Sequence, residues 1–216
     1  MKHKVKKIIS RHKSLWSQRT YWTTTFTGLV LLVASLLVNR AADYYTMLRA
    51  SNPVTDIILD NIPVFNVNFI FFYGFAIFWT FVIVLLVHDP KKIPFALKSI
   101  AVFIVVRSIF ISLTHMATPL EHSYLDPGNI FHAVTSSDDL FFSSHTGLPF
   151  LMALIFWENK YLKIIFIAAS LFFGTSVLLG HLHYSIDVFA AFFITYGIFQ
   201  MSRTFFKKDL KLFSAA

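Results

Sequence analysis

The sequence has no cysteine and few charged residues. Without cysteine the chain cannot form a disulfide, bind a metal ion through thiolates or use a cysteine nucleophile. Charged residues make up 14% of the 216 residues, whereas about 25% is usual for a soluble domain. Hydrophobic residues reach 56%, and the chain has 26 Phe. This composition is typical of an integral membrane protein.

Six stretches are apolar and long enough for transmembrane helices, since a span needs about 20 mostly apolar residues. Charges inside them are limited to Lys98 and Arg107 in the third, Lys163 in the fifth and Asp187 in the sixth. We therefore predict an all-α fold, a six-transmembrane-helix bundle over residues 20–202 between basic tails 1–19 and 203–216. The predicted spans are 20–39, 61–87, 93–114, 140–157, 161–180 and 184–201.

The basic residues predict the orientation of these spans. With six spans, all of the 19 Lys and Arg residues except Arg40, Arg49 and Arg107 fall on one side, and basic residues are retained on the cytoplasmic side. We expect a multi-pass membrane protein with both termini cytoplasmic, and no nucleic-acid partner despite the net charge of +8. For residues 1–19 two interpretations stay open, a short helix lying on an anionic leaflet and a disordered basic tail.

The fragment HLHYSIDVFAAFF places His183 four residues before Asp187. If a helix begins near Tyr184, the two side chains share a face. The carboxylate could then fix the imidazole tautomer, leave the second ring nitrogen free to attack and stabilise the imidazolium that results. The alternative is a structural His–Asp cap at the start of a helix.

A second histidine, His145, lies in the fragment SSDDLFFSSHTGLPF at the predicted outer end of the fourth span. Ser143 and Ser144 precede it, so hydroxyls and free amides at a helix start could bind phosphate oxygens. One imidazole could attack phosphorus while the other protonates the departing oxygen. Taken alone, His145 is equally consistent with an ordinary polar cap.

The two fragments together resemble the catalytic motifs of the sphingomyelin synthase-like family, within the type 2 phosphatidic acid phosphatase superfamily of six-helix membrane proteins. In that family the motifs read approximately C-G-D-x-x-x-S-G-H-T and H-x-H-Y-T-x-D-V-x-x-A-Y-Y. The fragment VVRSIFISLTHMATP is similar to the family's third span, which contains an arginine. The matching positions are Arg107, Asp139, Ser143, His145, Thr146, His181, His183, Tyr184, Asp187, Val188 and Ala191.

The departures from the motifs are as informative as the matches. Ser144 replaces the glycine before the histidine, and a serine at a position that requires positive φ would be strained by about 1 kcal/mol or more. Val177 stands where the general phosphatase pattern S-R-x-x-x-x-x-H-x-x-x-D has arginine, and Ser108 follows Arg107 where a second pattern has proline. The missing phosphate-binding arginine favours the synthase branch.

The resemblance implies transfer of a phosphocholine or phosphoethanolamine head group from a glycerophospholipid to ceramide or a ceramide-like lipid through a phosphohistidine, on the extracytoplasmic side. It implies His145, His183 and Asp187 as catalytic residues, and no metal ion or cofactor. The expected substrate-binding residues are Arg107, Asp139, Ser143, Ser144, His181 and Tyr184.

Three alternatives remain open. One is a lipid phosphate phosphatase that uses the same histidines, another is a transferase with diacylglycerol or a sugar lipid as acceptor, and the third is a channel or transporter with an intramembrane proton path. Homo-oligomerisation is also left open.

Overall fold

A computed structural model describes residues 2–49, 51–123 and 140–214, and this part of the chain is all-helical with no β-strand. A π-helical turn, Phe69–Gly74, leads directly into α3, and single 3₁₀ turns lie at Leu59–Asn61 and Pro90–Lys92. The α-helices are α1 Lys2–Trp16, α2 Arg19–Met47, α3 Phe75–His88, α4 Ile93–Leu113, α5 Ser144–Ile155, α6 Lys160–Leu179, α7 Ser185–Phe205 and α8 Lys207–Ser214.

Five segments of the described chain are helical, long and apolar enough to cross a membrane. They are Arg19–Met47, Phe69–His88, Pro90–Leu113, Lys160–Leu179 and Ser185–Phe205, and they correspond to five of the six predicted spans. These helices identify the chain as a multi-pass membrane protein.

The predicted span at 140–157 forms the shorter helix α5, which has 12 residues. At a rise of 1.5 Å per residue α5 is about 18 Å long, less than the hydrocarbon thickness of about 30 Å. The shortening has a local cause at each end. Phe141 and Phe142 have positive φ values of 144° and 24°, which are incompatible with a helix, and Phe156 leaves helical geometry at φ −99° and ψ 20°. The described residues therefore do not contain a sixth full-length span.

Ser144 does not have the positive φ that would strain a serine at this position. Ser144 is the first residue of α5 and is not among the described residues with positive φ, which are Phe141, Phe142 and His181. The serine in place of glycine is therefore accommodated by ordinary helical geometry.

The helices pack around a phenylalanine-rich core. α2 packs along α4, while α5 packs between α6 and α7. Fully buried side chains fill the space between these helices, among them Phe95, Phe103, Leu151, Met152 and Phe166. We call the end where α2, α4 and α6 finish and α5 and α7 begin the histidine end, because His145 and His183 lie there.

The opposite end is closed by the C-terminal helix α8. Asp209 of α8 accepts a hydrogen bond from Lys98 Nζ of α4 at 2.7 Å and another from Thr24 Oγ1 of α2 at 2.6 Å. Lys98 and Asp209 are only 7% and 3% exposed. Residues 207–214, predicted as part of a basic tail, thus form a helix attached to the bundle by a buried ion pair.

Candidate active site

The first turn of α7 positions His183 through Asp187. Asp187 is completely buried, and its Oδ2 lies 3.2 Å from Nδ1 of His183. The same oxygen accepts a hydrogen bond from the backbone N–H of Tyr184 at 3.0 Å. Tyr184 is the N-cap residue of α7, so this bond caps the helix. A carboxylate at Nδ1 makes this nitrogen the protonated one, so Nε2 carries the lone pair.

The second histidine is held close to the first by a backbone hydrogen bond. The N–H of Ser143 donates to the carbonyl oxygen of Asp187 at 3.0 Å, and Ser143 is the residue that precedes α5. His145, on the first turn of α5, is 3% exposed. The turns that carry the two histidines are therefore joined directly, although they lie about 40 residues apart in the sequence.

The imidazole of His145 lies between two phenylalanine rings. The ring centroids of Phe71 and Phe75 are 4.1 Å and 4.2 Å from that of His145. Nε2 of His145 is 3.3 Å from the carbonyl oxygen of Phe71, within the π-helical turn before α3. Short π-helical segments are often found at functional sites. If Nε2 donates to this carbonyl, Nδ1 of His145 is the nitrogen that exchanges a proton with substrate.

Arg107 supplies a buried positive charge to the same region. It lies in the middle of the last three turns of α4, is 4% exposed, and donates from Nε to the carbonyl oxygen of Phe142 at 3.3 Å. A guanidinium is always charged at physiological pH and offers paired donors that match phosphate oxygens. Arg107 is therefore suited to bind a phosphoryl group.

The two histidines and Arg107 line one cavity with a volume of about 730 Å³. Among the described residues, the polar side chains that line it are Asn39, Thr80, Arg107, Ser144, His145 and His183, and the rest of the described wall is apolar. Along α4 the wall extends from Leu97 to Arg107, a distance of about 15 Å by helical rise. The cavity is thus long and apolar, with its reactive groups near the histidine end.

Not every predicted substrate-binding residue reaches this cavity. Ser144 and Arg107 line it, whereas Ser143, His181 and Tyr184 do not. The hydroxyl of Tyr184 donates to the carbonyl of Ala117 at 2.9 Å, so it supports a neighbouring loop. Nδ1 of His181 contacts the carbonyl of Glu121 at 3.1 Å. For these three residues contact with substrate stays a prediction, and Asp139 lies outside the described residues.

Three contributors to the site were not predicted from the sequence, namely Thr80, Asn39 and the carbonyl group of Phe71. Asn39 of α2 lines the cavity, donates to Asp43 Oδ2 at 2.8 Å and accepts from Ser108 Oγ at 3.3 Å. Its position four residues before Asp43 on a helix is a local signal that could have drawn attention to it. The carbonyl group of Phe71 belongs to the main chain, so no residue type in the sequence indicates its role.

The arrangement can perform acid–base and nucleophilic chemistry at phosphorus. His183, oriented by a buried carboxylate, has the geometry of an activated nucleophile. His145, on a different helix of the same cavity, can exchange a proton with a leaving or attacking oxygen. Among the described residues no cluster of three or more His, Asp or Glu side chains could hold a metal ion.

Part of the chain matches a known protein family. Residues 137–204, which include all of α5 and α6 and nearly all of α7, match the family model described as PAP2 superfamily C-terminal. Over these residues the chain is similar to the type 2 phosphatidic acid phosphatase superfamily, and this likeness suggests a lipid enzyme of the phosphatase or phosphotransferase type. Searches of curated proteins and of solved structures gave no significant match.

Proposed function

We propose that the protein transfers a phosphocholine or phosphoethanolamine head group from a glycerophospholipid to ceramide or a ceramide-like lipid through a phosphohistidine. The observation that carries this proposal is the single cavity in which His145, His183 and Arg107 occupy the polar end of a long apolar chamber. An apolar chamber of this kind suits the hydrocarbon chains of a lipid. The match to a superfamily of lipid phosphate-ester enzymes supports the same conclusion.

The charge of the cavity favours a phosphodiester over a phosphomonoester. Arg107 is the one Lys or Arg side chain in the cavity lining of the described chain, and residues 124–139 contain neither residue type. A phosphodiester carries one negative charge, which one guanidinium can balance. A phosphomonoester carries about −1.5 to −2 at neutral pH. Because the charges of the Asp187 carboxylate and of a protonated His145 offset each other, the net positive charge of the site is that of Arg107 alone, and burial of a phosphomonoester would leave part of its charge unbalanced.

The proposed reaction has two displacements. In the first, Nε2 of His183 attacks phosphorus, the bond from phosphorus to the diacylglycerol oxygen breaks, and protonated His145 gives its proton to that oxygen. In the second, neutral His145 removes the proton from the primary hydroxyl of the ceramide-like acceptor, whose oxygen attacks phosphorus while the phosphorus–nitrogen bond breaks. His145 ends protonated, as it began, and Asp187 stabilises the positive charge on His183 in both steps.

This proposal includes the predicted orientation, with the histidine end facing the extracytoplasmic leaflet. Basic residues are concentrated at the other end, around the start of α2, the 3₁₀ turn Pro90–Lys92, the start of α6 and the end of α7. Substrate lipids would then be taken from the outer leaflet.

Purified protein in liposomes, given each phospholipid with and without ceramide, provides the test. We expect diacylglycerol and the head-group ester of ceramide in equal amounts by mass spectrometry, and neither product with His183→Asn. Release of inorganic phosphate from phosphatidic acid without any acceptor lipid, together with no transfer, would instead assign the chain to the lipid phosphate phosphatases. Liposomes with diacylglycerol or a sugar lipid in place of ceramide test the other acceptors.

A further inference from the structure

We propose that Asp56, which lies outside the cavity, is a positioning residue that fixes the first turn of α7 and thereby the contact between Asp187 and His183. Asp56 belongs to the connection between α2 and the π-helical turn, 129 positions from Ser185 in the sequence. The proposal rests on the proposed function insofar as it assigns His183 and Asp187 to catalysis.

The carboxylate of Asp56 forms three hydrogen bonds to backbone amides. Oδ2 accepts from the N–H of Ser185 at 2.6 Å, and Oδ1 accepts from those of Ile58 and Leu59 at 2.9 Å and 3.2 Å. Ser185 is the first residue of α7, and the first amides of an α-helix have no partner within the helix. Asp56 therefore satisfies one of these amides with a negative charge, which the helix dipole also favours.

The hydrogen bonds keep Asp56 ionised despite its burial. Asp56 is 8% exposed, and burial alone raises the pKa of a carboxyl group. The backbone donors of Ser185, Ile58 and Leu59 outweigh this effect, so the pKa of Asp56 lies below its ordinary value. The interaction with the start of α7 is thus one of a carboxylate rather than of a neutral acid.

A second contact attaches the same short segment to α7. The hydroxyl of Tyr184 accepts a hydrogen bond from the N–H of Val54 at 3.2 Å while it donates to Ala117. Tyr184 is 1% exposed. Residues 54–56 therefore contact both Tyr184 and Ser185, the two residues at which α7 begins.

The position of this turn sets the geometry of the catalytic pair. Oδ2 of Asp187 is shared between the N–H of Tyr184 and the imidazole of His183. A shift of the first turn therefore changes the distance from Asp187 to His183. Because Asp56 does not line the cavity, its removal is expected to act on the chemical step rather than on the binding of lipid.

The experiment compares Asp56→Ala, Asp56→Asn and Asp60→Asn in the full-length protein. Removal of the partners that orient metal ligands lowers affinity or activity by about 10- to 100-fold. Asp56 acts on His183 in a comparable way, through Asp187, so we expect a fall of similar size in kcat for Asp56→Ala with KM unchanged. Asp56→Asn keeps one oxygen that can accept from Ser185, so kcat should recover in part. Asp60 is exposed, and its Oδ2 accepts a hydrogen bond from the backbone N–H of Asp56 at 3.2 Å. The side-chain oxygen of asparagine can keep this bond, so Asp60→Asn should match the wild type.

A readout that does not need lipid turnover separates this proposal from the proposed function. Hydrogen–deuterium exchange should be faster in the first turn of α7 in both Asp56 variants and unchanged in α4 and in Asp60→Asn. If the wild type transfers no head group, the proposed function fails, and the exchange data still test Asp56. The positioning role would be overturned if Asp56→Ala had a wild-type kcat per folded protein, if only its KM changed, or if exchange in α7 were unchanged. If Asp56→Ala does not fold, the same measurements on Asp56→Asn provide the test.

Discussion

Replacement of Asp187 by asparagine separates the two roles of its carboxylate, the contact with His183 and the cap of α7. The Oδ2 atom accepts a hydrogen bond from the protonated ring nitrogen of His183. It also accepts one from the backbone N–H of Tyr184, which caps α7. The oxygen of an asparagine amide can still accept from Tyr184, so the cap is retained. The negative charge beside His183 is lost, and an imidazolium formed during the reaction is left without its counter-charge.

The two parts differ in expected magnitude. Loss of the carboxylate beside a catalytic histidine lowers kcat by about 10⁴-fold where it has been measured in triads, and this corresponds to about 5 kcal/mol of activation free energy. A helix cap contributes only about 1 kcal/mol to stability. We therefore expect Asp187→Asn to lose almost all head-group transfer while the midpoint of thermal unfolding changes little.

Asn159→Ala provides the matched control. Asn159 caps α6 by accepting from the N–H groups of Tyr161 and Leu162, both at 3.1 Å, and it lies at the opposite end of the bundle from His183. This variant should lose about 1 kcal/mol of stability and keep the wild-type kcat. Transfer rates in liposomes and thermal unfolding in detergent measure the two quantities.

The reasoning would be refuted by an Asp187→Asn variant that is folded and retains a kcat within a few fold of the wild type. In that case the His183–Asp187 contact would be structural, as the alternative interpretation of the sequence holds. A parallel loss of activity and of thermal stability in Asn159→Ala would equally remove the distinction between capping and catalysis.

Further predictions concern stability and ion dependence. Lys98→Met should lower the free energy of unfolding by about 3–5 kcal/mol, because it leaves Asp209 buried without its cation. In denaturant titrations the double variant Lys98→Met with Asp209→Leu should regain most of that loss. A double variant no more stable than Lys98→Met would contradict this. Gly147→Ala should destabilise the bundle by about 1–3 kcal/mol, since a Cβ there would lie 2.7 Å from the Phe103 ring and 2.8 Å from Thr195 Oγ1; an unchanged melting temperature would show that the neighbours move aside. Because the pKa of Asp56 is lowered in the folded protein, its ionisation should add stability. This stability is fully present above the pKa of an unfolded aspartate, about 3.9, and is lost as the pH falls through the lower pKa of the folded state. The melting temperature of Asp56→Asn should therefore depend less on pH in this acidic range than that of the wild type. Chelating agents should leave the transfer rate unchanged, and a strict requirement for a divalent ion would refute the proposed mechanism.

Much of the fold could be predicted from composition, because five of the predicted apolar stretches are long helices in the structure. The shorter extent of α5 relative to the predicted span has a physical reason. Hydropathy does not detect backbone geometry, and the apolar residues Phe141 and Phe142 count toward a span although their positive φ values exclude them from a helix.

The candidate site was predictable where its contacts are local. His183 and Asp187 lie four residues apart and are in contact at the start of α7, where His183 precedes the first turn that carries Asp187. His145 was singled out from its own fragment and Arg107 as a charge inside a span, both matched the resembling motifs, and the structure brings both to one cavity with His183. The contributions of Asp56 and of the Phe71 carbonyl depend on contacts across 129 and 74 positions, for which no local pattern exists.

The bond from Ser143 N–H to the carbonyl of Asp187 joins two main-chain groups, so exchange of side chains elsewhere leaves it in place. The spacing of the two imidazoles is then maintained independently of the residues that line the apolar wall of the cavity. Selectivity for chain length or saturation could change through substitutions such as those at Leu32 or Ile83, both in the apolar wall, without altering the reactive pair. The apolar wall is therefore the place to redesign this protein toward other lipids.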